Sequence, residues 1–172
     1  MSVREVENFV DTWNREAENT LTLLRALPSD QYDFRPDAGG RALGELAWHL
    51  AEGDAYMSFG IEQGKFAMDM KPPNIERPRS VEALAPGFER VHQEAVARIQ
   101  KLSADDLDRE VQLFDRPTSI RNILWDAVLL HGAHHRGQLS LMCRLAGDKA
   151  PGLYGPNREE MAALREGAST RG

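Results

Sequence analysis

The chain has 172 residues, of which 41% are hydrophobic and 28% charged, the composition of a single globular domain over 1–172 with a sizeable core. A formal net charge of −6, only four lysines and no basic run give no basis for attachment to nucleic acid or an anionic membrane. No apolar run approaches the roughly 20 residues of a membrane span. Met1-Ser2-Val3-Arg4-Glu5 lacks the apolar core of a signal peptide, and the single cysteine, Cys143, fits a reducing cytoplasm.

In chain order, Val3, Val6, Val10, Trp13, Ala17, Leu21 and Leu24 recur at helical spacing, with Arg4, Glu5, Asp11, Arg15 and Glu18 opposite. This predicts an amphipathic helix over about 3–27, ended by Pro28-Ser29-Asp30. A Pro- and Gly-containing loop follows to 41. A second helix, about 41–63, carries Leu43, Leu46, Leu50, Met57 and Ile61 on its apolar stripe. His49 lies at the margin, near Gly53, Tyr56 and Gly60. Residues 64–79, with Pro72, Pro73 and Pro78, form the longest irregular stretch, which either covers a site or crosses the end of a bundle.

The third helix is expected over about 80–102, with Ser80 as N-cap and Leu84, Phe88, Val91, Ala95, Ile99 and Leu102 as its stripe. His92, on the stripe's edge without a partner at i±4, is read as non-functional. A polar connection, 103–117, leads to Thr118 or Ser119 as cap of a fourth helix running to about 146, where Gly147 stops it. After Pro151–Pro156, a short helix starts at Asn157 with Glu160 in the reciprocal capping position. No alternating strand pattern, internal repeat or low-complexity tract interrupts this series. The fold class is therefore all-α, a four-helix bundle with a short C-terminal helix.

Three of the five histidines fall in His131-Gly132-Ala133-His134-His135 on the fourth helix. At roughly 100° per residue, His131 and His135 point about 40° apart, while His131 and His134 diverge by about 60°. Two imidazoles one turn apart can grip one divalent metal, but Gly132 stands where zinc proteases carry the general-base Glu, so that chemistry is ruled out. Ile120, Leu124, Ala127, Val128, Met142 and Leu145 lie within about 70° of His131, which places the pair on the buried stripe. An unpaired imidazole is costly there; a metal would satisfy both rings, and so would two hydrogen bonds. Since bundle metal sites are built from facing helices, His49 is the candidate third ligand, and three imidazoles would leave positions open for substrate. Cys143 reads as packing or surface, and Trp48 as core or interface. Arg136 points away from the site towards an acidic partner. Gln138, about 20° from His131, is either a hydrogen-bond partner of the site or a polar residue at the bundle end.

Arg35-Pro36 with Arg41-Ala42-Leu43-Gly44-Glu45-Leu46-Ala47-Trp48-His49-Leu50 resembles the second-helix motif of DinB/YfiT-like four-helix proteins. His131–Leu139 is similar to their HxxxHRGQ segment, and Pro151-Gly152-Leu153-Tyr154-Gly155-Pro156 to their closing segment. The resemblance implies an up-and-down bundle, usually a homodimer, with a divalent metal held by His49, His131 and His135 and not by His134. Zinc or nickel is the implied ion, with iron or manganese as alternatives. It also implies a small-molecule substrate, in some members a low-molecular-weight thiol such as bacillithiol or mycothiol.

Three functions compete on these residues. A thiol S-transferase would use the metal to deprotonate its cosubstrate and needs no base in the HxxxH turn. A hydrolase would use metal-activated water and a carboxylate, for which Glu52, about 60° from His49, is the candidate. The non-enzymatic alternative is a metal-binding bundle. Three histidines are an unusual set for structural zinc, which takes four protein ligands.

Overall fold

The computed structural model describes residues 3–169; Met1 and Ser2, and the side chain of Val3 on the expected stripe, lie outside what it describes. Four long helical runs form the bundle: α1 Val3–Arg25, α2 Leu43–Gln63, α3 Leu84–Ile99, and α4. The last is continuous but composite, with α-helical Ile120–Asn122, π-helical Ile123–Leu130 and α-helical His131–Leu145. A short helix, α5, spans Arg158–Ser169. Among the described residues no helix is long and apolar enough to cross a membrane.

The stripes do the work their spacing predicts. Val6, Val10, Trp13, Ala17, Leu21 and Leu24 are all buried, as are Leu84, Phe88, Val91, Ala95 and Ile99. Around α2 the burial is wider than one stripe, because Ala47, Trp48, Ala51 and Ala55 are enclosed as well. Its neighbours explain this: α2 packs on α3 and on α4, and α1 packs on the same two helices. The ring order is thus α1–α3–α2–α4, with α1 and α2 on one diagonal. The simplest bundle sets consecutive helices side by side. Here the long connections 26–42 and 100–119 each cross a diagonal, and α2 faces α4 directly.

Local chemistry sets the ends. The Glu45 carboxylate accepts the Ala42 N–H at 2.7 Å, half of a capping box at the start of α2. The third helix begins at Leu84 rather than at 80, and Ser80 does not cap it; its N-cap is Ala83, with no side-chain bond. Pro86 then falls in the first turn, where its missing N–H costs nothing. Ser119 Oγ accepts the Asn122 N–H at 3.3 Å, so it is the cap of α4. At the far end Gly147 takes φ 99°, with Gly147 N–H bonded to Arg144 O and Asp148 N–H to Cys143 O, the Schellman pattern that favours glycine. Asn157 and Glu160 cap α5 reciprocally at 2.8 and 2.9 Å.

The expected polar connection 103–117 contains a 3₁₀ turn, Asp105–Asp108, and an antiparallel hairpin of β1 Glu110–Leu113 and β2 Arg116–Ser119. Its register pairs Glu110 with Ser119 and Leu113 with Arg116. Only Val111 of the hairpin is buried, so the strands carry almost no apolar alternation to read. The 64–79 stretch is tied down by bonds from Trp48 Nε1 to Ile75 O (3.3 Å), Tyr32 Oη to Pro78 O (2.5 Å) and Tyr56 Oη to Ala67 O (3.1 Å).

The π-helical stretch bears most on the site. Its i→i+5 bonds widen the turn, and one of them joins the His131 N–H to Asp126 O. A wheel drawn at 100° per residue therefore loses phase across 123–130. Ile120, Leu124, Val128 and Met142 are buried as expected, but Ala127 is only half-buried and Trp125 and Leu130 reach the surface. Leu145, placed on the buried stripe by its spacing, is 55% exposed, because it stands on the open wall of a surface cavity at the end of α4.

Candidate metal centre

Because α2 faces α4, His49 is brought opposite His131 and His135, and one ring nitrogen from each lies within 4.8 Å of the other two. The Nε2 atoms of His131 and His135 are 3.0 Å apart. Nitrogens sharing one ion at about 2.1 Å stand roughly 3.0–3.4 Å apart in cis-octahedral or tetrahedral geometry, so this pair is already at ligand spacing. The rings meet edge to face, with centroids 4.3–5.4 Å apart. His134 is exposed and stays outside the cluster.

A hydrogen bond on its other ring nitrogen orients His135, and a carboxylate stands beside His49. Gln138 Oε1 lies 2.7 Å from His135 Nδ1 and accepts its proton, which leaves Nε2 with its lone pair facing His131. The two readings of Gln138 are thereby resolved in favour of the hydrogen bond. Glu52 Oε2 lies 3.5 Å from His49 Nδ1, while its other oxygen accepts from Arg77 Nη2 at 2.8 Å. Burial pushes the Glu52 carboxyl up, but the bonds from His49 and Arg77 outweigh it and hold it below the usual carboxylate range. Glu52 is therefore an ionised, engaged carboxylate beside a ligand ring.

Electrostatics keeps the cluster ready for a cation. Burial, then the neighbouring His135 and His49, push the His131 pKa down to about 4. His135 is also lowered, by burial first, with the Gln138 bond opposing. Both rings are neutral at pH 7, which is the state that binds metal. The convergent lone pairs, ligand spacing and oriented rings together fit a divalent ion held by His49, His131 and His135.

Arg136 does turn away from the histidines towards acid, as its position predicts, but its depth exceeds expectation. It is 4% exposed and is bound by Glu16 Oε2, Tyr154 Oη and Thr20 Oγ1, which ties α4 to α1 and to the tail. Cys143 is fully buried, with burial raising its thiol pKa, so it is a packing residue. Trp48 is core, 1% exposed.

One polar cluster has no counterpart in the sequence reading. His92 is buried, with Nδ1 2.9 Å from Asp54 Oδ2 and Nε2 3.0 Å from Asn14 Oδ1. Its partners come from α2 and α1, far away in sequence, so inspection of i±4 neighbours could not reveal them. The only available signal was an Asp on the inward side of α2.

The DinB family profile matches residues 1–170, and this chain belongs to the DinB family. A Bacillus subtilis (strain 168) protein named "Uncharacterized protein YrdA" is 29% identical over 164 residues, covering 91% of this chain and 92% of the relative. Among solved structures, a DinB-like protein from Bacillus cereus ATCC 10987 superposes with a TM-score of 0.71 at 28% identity, over 86% of this chain and 97% of that one. A DinB-like protein from Bacillus subtilis, YjoA, gives 0.69 at 21% identity over 88% and 99%, which shows the shared fold.

Proposed function

We propose that the protein is a divalent-metal-dependent enzyme of the thiol S-transferase class, with zinc or nickel, or else iron or manganese, held by His49, His131 and His135. The observation that carries this reading is the convergence of three imidazole nitrogens within 4.8 Å with no carboxylate among them. An ion bound by three neutral imidazoles keeps coordination positions open and acidifies a thiol placed there, so that thiolate is available at neutral pH. The chain's own residues supply the rest. Gln138 holds the proton of His135 on Nδ1, Glu52 places a negative charge beside His49, and the His131 N–H closes a wide turn on Asp126 O.

The hydrolase alternative asks Glu52 to move a proton. A carboxylate already bound by Arg77 and beside His49, with its pKa lowered, is a poor base, and this favours transfer. A homodimer accords with the exposed apolar side chains Trp125, Leu130 and Tyr154 along α4 and the tail. A cytoplasmic location accords with the single buried thiol. The substrate is a small molecule, and a low-molecular-weight thiol such as bacillithiol or mycothiol is the expected cosubstrate.

The test is elemental analysis of untagged protein with His49→Ala and His135→Ala, followed by thiol-plus-electrophile assays. About one metal per chain, lost in both variants, with thiol-dependent turnover, is the expected result. No metal uptake from zinc or nickel overturns the reading.

A further inference from the structure

A cavity of about 370 Å³ opens between the loop before α2 and the end of α4. Its apolar wall is Leu46, Leu141, Met142 and Leu145, and its polar side includes Arg41 and Gln138. That volume is in the range of small-molecule sites, which combine an apolar lining with a few placed polar groups. Gln138 joins it to the histidines, lining the cavity and accepting the proton of His135 Nδ1 at 2.7 Å.

Arg41 differs from its neighbours in what it does with its charge. Arg35 is paired with Glu45, and Arg77 with Glu45 and Glu52. Among the described residues, Arg41 makes no ion pair or side-chain hydrogen bond. Asp37, on the same rim, turns into its own loop, where Oδ1 accepts the Gly39 N–H at 3.3 Å. A planar guanidinium left free beside an apolar wall is matched by a carboxylate attached to an apolar body.

We propose that this cavity is the substrate pocket of the histidine centre and selects small carboxylate-bearing molecules, with the carboxylate on Arg41 and an apolar body against Leu46, Met142 and Leu145. This rests on reading the histidines as a reactive centre. It adds that Arg41 decides which molecules reach that centre.

Calorimetric titration with 4-phenylbutyrate and the uncharged 4-phenylbutanol tests it, on zinc-loaded and chelator-stripped protein, for the wild type, Arg41→Gln and Arg41→Lys. In the wild type the acid should bind about tenfold more tightly than the alcohol, the scale of one charge-assisted hydrogen bond. Arg41→Gln should abolish that preference and Arg41→Lys restore part of it, with alcohol affinity, zinc content and helical signal unchanged. Equal binding of acid and alcohol overturns the proposal, as does binding of neither because a second copy covers the cavity. Undiminished acid binding by Arg41→Gln also overturns it, since the carboxylate would then sit on the metal. The two readings fail separately. An Arg41-dependent preference in protein that takes up no zinc defeats the metal centre alone, while one zinc per chain without the preference defeats the pocket alone.

Discussion

His49 and Asp54 lie five residues apart on α2, yet the two histidine clusters they serve use ring nitrogens in opposite ways. In the buried cluster, His92 spends both nitrogens on side chains, Asp54 on one side and Asn14 on the other. At the metal centre, His135 spends Nδ1 on Gln138 and turns Nε2 towards His131 and His49. The first arrangement satisfies both ring nitrogens and ties three helices together. The second converges lone pairs that only a proton or a cation can share. Burial of a histidine is common to both; what separates them is whether the second nitrogen is left for something else.

Removing one ring from each cluster breaks the comparison most sharply. His135→Ala should reduce bound metal from about one per chain to near zero by elemental analysis, with helical circular dichroism retained. His92→Ala should keep the metal but lose roughly 2–4 kcal/mol in chemical denaturation, because Asp54 is left buried without its partner. Equal effects of the two changes on both readouts would erase the distinction. Next in size, Gln138→Ala should weaken metal affinity about 10–100-fold, as expected for the loss of a ligand's orienting partner, measured by competition with a chelator. Asn14→Ala, which removes only the lesser bond to His92, should cost about 1 kcal/mol and leave metal affinity unchanged.

An effect of the same small size is expected from pH. His131 has a folded pKa of about 4, against about 6.5 for an unperturbed imidazole. As pH falls below 6.5 the unfolded chain takes the proton first, so metal-free protein should lose stability between about pH 6.5 and 4 and be insensitive to this group above 7. The ring is partly exposed, and solvent screening keeps the loss to about 1 kcal/mol. Denaturation midpoints of chelator-treated protein across that range check it. A rise in stability towards pH 4 would contradict the assignment of neutral rings.

Much of this was legible because helical burial follows local spacing. The stripes of α1 and α3 and the caps at Ser119, Gly147 and Asn157 each rest on residues within a few positions of one another. His131 and His135 were readable as a pair for the same reason; the facing-helix rule made His49 a candidate third ligand, and the DinB-like motifs pointed to the same residue. What could not be read depends on distant partners or on bonds without a compositional mark. The hairpin 110–119 buries one side chain and so leaves no alternation to detect. The diagonal placement of α1 and α2 is decided by how connections cross the bundle ends. His92 acquires its role from residues 38 and 78 positions away. Arg41 stood in plain view within a motif, but its lack of a counter-charge emerges only when the neighbouring arginines are seen with theirs.

The π-helical stretch also shapes how this chain can evolve. Its i→i+5 bonds accommodate extra backbone within a helix that stays unbroken and leads directly into His131. Losing one residue from 123–130 would let the helix relax towards α-geometry, with its apolar content nearly intact. A π-helical residue turns the chain less than an α-helical one, so the shorter α-helical stretch would leave the ends of α4 at nearly the same relative rotation. The same loss from the α-helical turn between His131 and His135 has no surplus to absorb it and would swing one ring from the other by roughly 100°, so shortening is tolerable in the wide stretch and ruinous just beyond it.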